Sequence, residues 1–337
     1  MGRHGAGDGV RAPWQEGARD ALTAVGLDPG AVRDYAIRTV AEDLGPGWVD
    51  VTAAVTVPAE AERRAELVAT EDGVVAGLLL VPVLLAEAAA RLDLPVPICD
   101  LRVLDGARVR AGDVLADLRG RTRVLLAAQP TSLATLRHLS GVATRTAHWL
   151  DALEGTGVGV LDTTATTPGL RALERYAVRC GGGVNGRAGL YDAAYVTREH
   201  AQAAGSLARA LDAVRRRLPR AMVQVEVTTP LEAVEAVLAG ARFVVCSGMD
   251  ADMLAGTVRQ VRASTMERVE IAAAGGFTLE DAKEFAQTGV DHLCVDDLLT
   301  RAVTFRLALQ VTRSPARIPP PEPVLVEAPA LVPAQRG

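Results

Sequence analysis

Between residues 157 and 300 the chain alternates short apolar runs with longer amphipathic stretches. The runs lie at 157–161, 193–197, 222–227, 243–246, 269–273 and 292–295. Short apolar runs bounded by turn signals suit strands buried on both faces. Helical periodicity fills most gaps, at 169–179, 203–218, 231–239, 250–263 and 279–288. Thr229-Pro230 and Thr167-Pro168 each place a hydroxyl near an N-cap and a proline at the first helical position. Thr278-Leu279-Glu280-Asp281 resembles a capping box with Asp in place of Glu. Six strands at a spacing of roughly 20–25 residues argue for a parallel sheet closed, or nearly closed, as a barrel. A doubly wound open sheet is the alternative, and no G-x-G-x-x-G follows a first strand to favour it.

Upstream the texture differs. A helix is expected over 32–44, a strand over 65–70, an apolar helix over 82–91, and short strands around 100–104 and 114–118. Asp105-Gly106 and Ala111-Gly112-Asp113 punctuate the strands, which gives a small α+β layer. Residues 1–17 are rich in Gly and Arg without a period. The stretch 318–337 carries Pro319, Pro320, Pro321 and Pro323, so both ends read as flexible tails.

Composition narrows the class. Of 337 residues 49% are apolar and 23% charged, enough for a large core and too apolar for disorder in the body of the chain. The longest apolar run, near 74–85, is interrupted by Gly77 and Pro82 and is too short to span a bilayer. The N-terminus lacks the apolar centre of a signal peptide, so a cytoplasmic protein is expected. A net charge of −5 with no visible basic face, and only 3% aromatics, argue against a nucleic-acid partner. Cys99, Cys180, Cys246 and Cys294 form no C-x-x-C pair, so scattered thiols are expected rather than a metal site. Lys283 is the only lysine, which excludes lysine catalysis elsewhere.

In a barrel of this kind chemistry sits at the C-terminal strand ends. Those ends read Asp162-Thr163-Thr164-Ala165, Thr197-Arg198-Glu199-His200, Glu226 with Thr228, Cys246-Ser247-Gly248, Gly275-Gly276, and Asp296-Asp297. The glycine-rich stretch 181–187 adds flexible backbone and the Arg187 guanidinium. Arg187 and Arg198 suit a carboxylate ligand. Glu226, or the Asp296/Asp297 pair, suits a base or a bound cation. Each has a plainer reading. Glu226 lies in an apolar strand, where it either serves a site or pairs with a buried arginine. Asp296-Asp297 fits a solvated helix start, Cys246 a buried thiol, and His200 a cap or packing role.

Several longer motifs carry a resemblance. The stretch 161–171 (LDTTATTPGLR), followed by YAVRCGGGVN at 176–185 and GLYD at 189–192, resembles quinolinate phosphoribosyltransferase, the decarboxylating enzyme of NAD biosynthesis. The similarity extends over EDLG at 42–45, EDGVVAG at 71–77, HLSGVAT at 138–144 and TGVD at 288–291, so it covers about residues 32–312. It implies an α/β fold: an N-terminal α/β sandwich, an incomplete α/β barrel of the type II phosphoribosyltransferase kind, and a homodimer with shared active sites. On that footing the expected layout is a flexible segment over 1–29 and a sandwich over 30–127. The barrel follows over 128–298, then a C-terminal helix returning to the sandwich over 299–317 and a Pro-rich tail over 318–337.

Position by position, the chain departs from the family pattern. Where D-T-R-K-T-T-P-G supplies an arginine and a lysine, this chain has Thr164 and Ala165. N-H-R becomes Asn185-Gly186-Arg187, K-D-N-H becomes Thr197-Arg198-Glu199-His200, and A-E-R becomes Ala128-Gln129-Pro130. L-D-N reads Cys246-Ser247-Gly248, and V-G-A reads Val295-Asp296-Asp297. The second glutamate of E-V-E-V survives as Glu226. Of five matched Arg or Lys positions only Arg187 remains. The expected protein is therefore a repurposed member acting on a small carboxylate-bearing substrate, with phosphoribosyl transfer lost. Glu226 is its acid/base and Arg187 its anchor, in a pocket with Thr163, Thr164, Thr197, Arg198, His200, Ser247, Gly275 and Gly276. No metal is called for, and magnesium enters only with a phosphorylated substrate. The alternatives are a working nicotinate-nucleotide pyrophosphorylase with compensating residues such as Arg198, and a non-catalytic binding or regulatory homologue.

Overall fold

The computed structural model describes residues 14–163, 165–300 and 302–312. Residues 1–13 and the Pro-rich tail expected at 318–337 lie outside the described residues. The chain divides into two compact units. Among the described residues, one gathers 14–73, 77–137 and 305–312; the other comprises 74–76 and 138–304.

The second unit carries six parallel strands. Their spatial order is Gly159–Leu161, His292–Cys294, Glu270–Ala274, Phe243–Ser247, Val223–Val227, Ala194–Val196. The outermost two are not paired with each other, so the barrel is incomplete. The register places Glu226, Val245, Ala272 and His292 in one layer, and Ser247, Ala274, Cys294 and Leu161 in the next. Leu161, Phe243, Val245, Ala272 and Cys294 pack as the interior, with Tyr195 laid against them. The alternate positions Val225, Val227, Val244 and Cys246 are buried on the other face.

Most helix starts follow the local chemistry. The Thr229 hydroxyl accepts from the Glu232 N–H at 3.2 Å, with Pro230 opening the helix Pro230–Leu238. Asp250 caps Ala251–Ser264 by accepting from the Met253 N–H at 2.8 Å. Thr278 and Asp281 exchange two hydrogen bonds ahead of Ala282–Ala286. Two expectations need correction. Thr167-Pro168 caps nothing: the helix begins at Arg171, and the Thr167 N–H donates to Glu174 instead. The helix expected over 203–218 is two, Arg198–Ala204 and Leu207–Arg217. Gly205 turns left-handed (φ 90°) between them, and Ser206 caps the second.

The first unit is built on an antiparallel sheet in the order Leu307–Val311, Glu62–Ala69, Val114–Arg121, Ile98–Leu101. Its helices include Pro29–Leu44 and Val81–Arg91. The C-terminal helix expected over 299–317 is corrected to the strand Leu307–Val311, preceded by the short helix Asp297–Thr300. Leu307 and Leu309 alternate with smaller or polar residues, and pairing runs from Ala69↔Leu307 to Ala65↔Val311. Tertiary pairing here overrides a helix-compatible sequence. The segment 1–29 is also not wholly a flexible tail, because Trp14–Ala24 is helical and Asp28 caps Pro29–Leu44.

The boundary expected at 127/128 falls inside one helix, Thr122–Ala152, and the units divide at 137/138. Proline within a helix costs about 3 kcal/mol. The helix nonetheless runs through Pro130, because Leu125, Ala128, Leu136 and Leu139 are all buried along it. Among the described residues no helix is long and apolar enough to cross a membrane.

Candidate active site

Asp162 ends the first barrel strand and is only 4% exposed. It accepts from the Gly186 N–H at 2.6 Å and from Asn185 Nδ2 at 2.7 Å, and it faces Arg175 Nη1 at 3.3 Å. Arg175 then donates to the carbonyls of Arg187 at 2.9 Å and Gly186 at 2.8 Å. Burial raises the Asp162 carboxyl above its ordinary value, more than Arg175, Gly186 and Asn185 draw it down.

The 181–187 stretch, expected as flexible backbone, is tightly seated. A Cβ on Gly181 would fall 2.4 Å from the Ala143 carbonyl oxygen, and one on Gly183 2.7 Å from Val178 Cγ1. These glycines answer close packing rather than mobility.

That clamp sets the backbone of Arg187, whose guanidinium lies 4.7 Å above the Tyr195 ring. Among the described residues Arg187 has no carboxylate partner. Burial strongly raises the Tyr195 phenol, the Glu226 carboxylate adds to this, and Cys294 and Asp296 contribute while Arg187 opposes. Arg187, Tyr195, Glu226 and Asp296 therefore share one electrostatic neighbourhood. Glu226 is half-buried on the interior layer, and no hydrogen bond or ion pair engages it among the described residues. The arginine partner required by its plainer reading is absent there.

Beside Glu226 opens a cleft of about 530 Å³. Ser247 and Arg198 line it with Glu226, as do Glu199, Glu232 and Glu235. One guanidinium thus faces four carboxylates, a setting that repels polyanions.

The other expected residues divide. Thr197 and His200 cap the helix Arg198–Ala204: the Thr197 hydroxyl meets His200 Nδ1 at 2.8 Å and donates to Glu199 at 2.7 Å. Thr163 Oγ1 accepts from the Ala165 N–H at 3.3 Å in a local turn, and Thr164 lies outside the described residues. Gly275 is half-buried and Gly276 exposed, and a Cβ on either would meet no backbone. Asp297 is not a solvated helix start. It accepts from Trp149 Nε1 at 2.8 Å and pairs with Arg145, while Asp296 is exposed. Burial pushes the Cys246 thiol up to about 12, on the face away from Glu226. Sequence reading missed Tyr195 and Asp162 as organisers, although strand alternation could have placed Tyr195 inside.

A second buried carboxylate fixes the segment before the helix Arg171–Cys180. Glu174 meets His138 Nε2 at 2.7 Å and accepts from the Thr167 N–H at 2.8 Å. Burial would raise its carboxyl, but these hydrogen bonds hold it below the ordinary range. Stability from a depressed carboxyl is present above its unfolded value and lost as pH falls through the folded one. Melting temperature is therefore expected to fall as pH drops below about 4. Differential scanning calorimetry of Glu174→Gln should show a shallower fall; an identical slope would contradict the assignment.

Comparison with known proteins places this geometry. Residues 142–310 match the C-terminal domain of quinolinate phosphoribosyl transferase, and 50–140 match its N-terminal domain. The chain is 40% identical over 271 residues to a nicotinate-nucleotide pyrophosphorylase [carboxylating] of Mycobacterium leprae, covering 80% of this chain and 93% of that protein. It is 34% identical over 274 residues to a probable enzyme of the same name from Bacillus subtilis, covering 81% and 91%. Among solved structures, NadC from Streptococcus pyogenes superposes with a TM-score of 0.77 at 28% identity, over 85% of this chain and 98% of that one. The nicotinate-nucleotide pyrophosphorylase of Francisella tularensis gives 0.76 at 28%, over 84% and 96%.

Proposed function

Because the chain belongs to the quinolinate phosphoribosyltransferase family, we propose that it is a repurposed member acting on a small substrate with one carboxylate. Arg187 is the anchor, Glu226 the acid/base, and phosphoribosyl transfer has been lost. The observation that carries the loss of phosphoribosyl transfer is the charge of the Glu226 cleft, lined by four carboxylates and the single guanidinium of Arg198, while Arg187 lies outside that lining, over the Tyr195 ring. Quinolinate brings two carboxylates and phosphoribosyl pyrophosphate three phosphoryl groups. Such ligands need cations, and the matching positions hold Pro130, Thr164, Ala165 and Thr197. Each lost charge-assisted contact costs about 1.5–3 kcal/mol. Four losses, even if far from additive, remove roughly 6 kcal/mol, or about four decades of rate. Ser247 stands where the family motif carries an aspartate. Among the described residues no group of three or more His, Cys, Asp or Glu is placed to hold a metal.

The test is to supply quinolinate, phosphoribosyl pyrophosphate and magnesium and follow carbon dioxide release. No release above background is expected, and enzyme-like turnover would restore the family activity. Arg198, which lines the cleft, favours that second reading, as does the 40% identity to the Mycobacterium leprae enzyme. A homodimer and a cytoplasmic location are part of the same proposal. Light scattering at micromolar concentration checks the first of these, and a pure monomer would count against it.

A further inference from the structure

The floor of the barrel, at the strand ends away from the Glu226 cleft, holds a second cleft of about 420 Å³. Arg242 and Arg268 reach it from just ahead of the strands Phe243–Ser247 and Glu270–Ala274, and Arg215 from the helix Leu207–Arg217. Phe243 and Met222 supply an apolar wall. The Phe243 ring is held by stacking on His292, with centroids 6.2 Å apart and planes 9° from parallel. The packed interior of Leu161, Val245, Ala272 and Cys294 lies between this floor and the opposite strand ends. The floor cleft is therefore a separate space.

Its charge is the reverse of the other cleft. Three guanidiniums line it against one carboxylate, Glu270. Arg242 pairs with Glu267, and Arg268 stands 3.9 Å from Glu270. Arg215 has no carboxylate partner among the described residues, although the neighbouring Arg216 pairs with Asp212. The Arg215 guanidinium instead lies over Gly240, where an added Cβ would fall 1.4 Å from Nη2 and where φ is +91°. Glycine at 240 thus leaves room for this guanidinium to lie folded into the cleft. No hydrogen bond among the described residues engages its donors.

We propose that the floor cleft binds a small organic oxyanion with a flat apolar body. The oxyanion sits on Arg215 and Arg268, and the body lies against Phe243 and Met222. A carboxylate and a phosphate share this chemistry, and the experiment separates them. The inference does not depend on what the Glu226 cleft turns over.

The full chain is titrated by calorimetry with phenyl phosphate, benzoate, phenol and inorganic phosphate. Phenyl phosphate or benzoate is expected to bind more tightly than phenol or inorganic phosphate, and the tighter of the two identifies the oxyanion. Arg215→Gln and Arg268→Gln, both at exposed positions, should each weaken that binding by about tenfold or more. Arg187→Ala should leave it unchanged. Three results would overturn the proposal: no binding by either aryl anion, binding that survives both floor substitutions, or binding lost with Arg187→Ala alone. Unchanged melting temperatures of the two floor variants keep a loss of binding from being a loss of fold.

Discussion

Glu226→Gln should lower turnover of the true substrate by roughly two to four decades, the range a general acid/base contributes, and leave the melting temperature unchanged. The expectation follows from placement. Glu226 is half-buried on the interior layer, borders the cleft, and has no hydrogen-bond or ion-pair partner among the described residues. Glutamine keeps its shape and removes its ability to carry a proton. Arg187→Ala should behave differently, raising KM with a smaller change in kcat, because a carboxylate anchor acts in ground and transition states alike. Steady-state kinetics and thermal melts on both variants separate the roles. A Glu226→Gln protein that stays active but melts several degrees lower would make Glu226 a structural residue instead.

Asp162→Ala is expected to be the most destabilising single change in the barrel. It removes the acceptor for the Gly186 N–H and Asn185 and leaves Arg175, only 13% exposed, without its carboxylate. Breaking a buried pair from one side costs about 3–5 kcal/mol. For a unit of this size that corresponds to a melting temperature lower by roughly 6–20 °C. Function should fail with it, because the same clamp holds the backbone carbonyls of Gly186 and Arg187. Calorimetry of the variant reads the first effect directly. A loss of less than about 1 kcal/mol would mean that the glycine segment is held by its packing on Ala143 and Thr146 alone.

The barrel was legible because its strands are short apolar runs and its helices carry caps that work locally, as Thr229 and Asp250 do. What escaped the sequence depended on distant partners. The strand Leu307–Val311 exists because Glu62–Ala69 offers an edge, and nothing within 299–317 announces that. The boundary expected at 127/128 fell inside the helix Thr122–Ala152, which runs through Pro130 because burial elsewhere along it outweighs the local cost. Glycines at 181–183 looked like flexibility because a sequence does not show Ala143 and Thr146 waiting for them. In the site, Glu226 and Arg187 stood out as charges in unusual company. Tyr195 did not, since an aromatic residue in a strand is ordinary until a guanidinium is seen above it. Thr197 and His200 drew notice by motif position, and the structure shows them capping a helix.

If the proposal of a scaffold that no longer recognises phosphate is right, phosphoribosyl pyrophosphate binds it very weakly. The full chain is titrated with the ligand and magnesium by calorimetry. With Ala165 and Thr197 in place of cations, and four carboxylates along the cleft, no heat of binding is expected at sub-millimolar ligand. A dissociation constant in the low micromolar range would contradict the charge argument and return the protein to phosphoribosyl transfer.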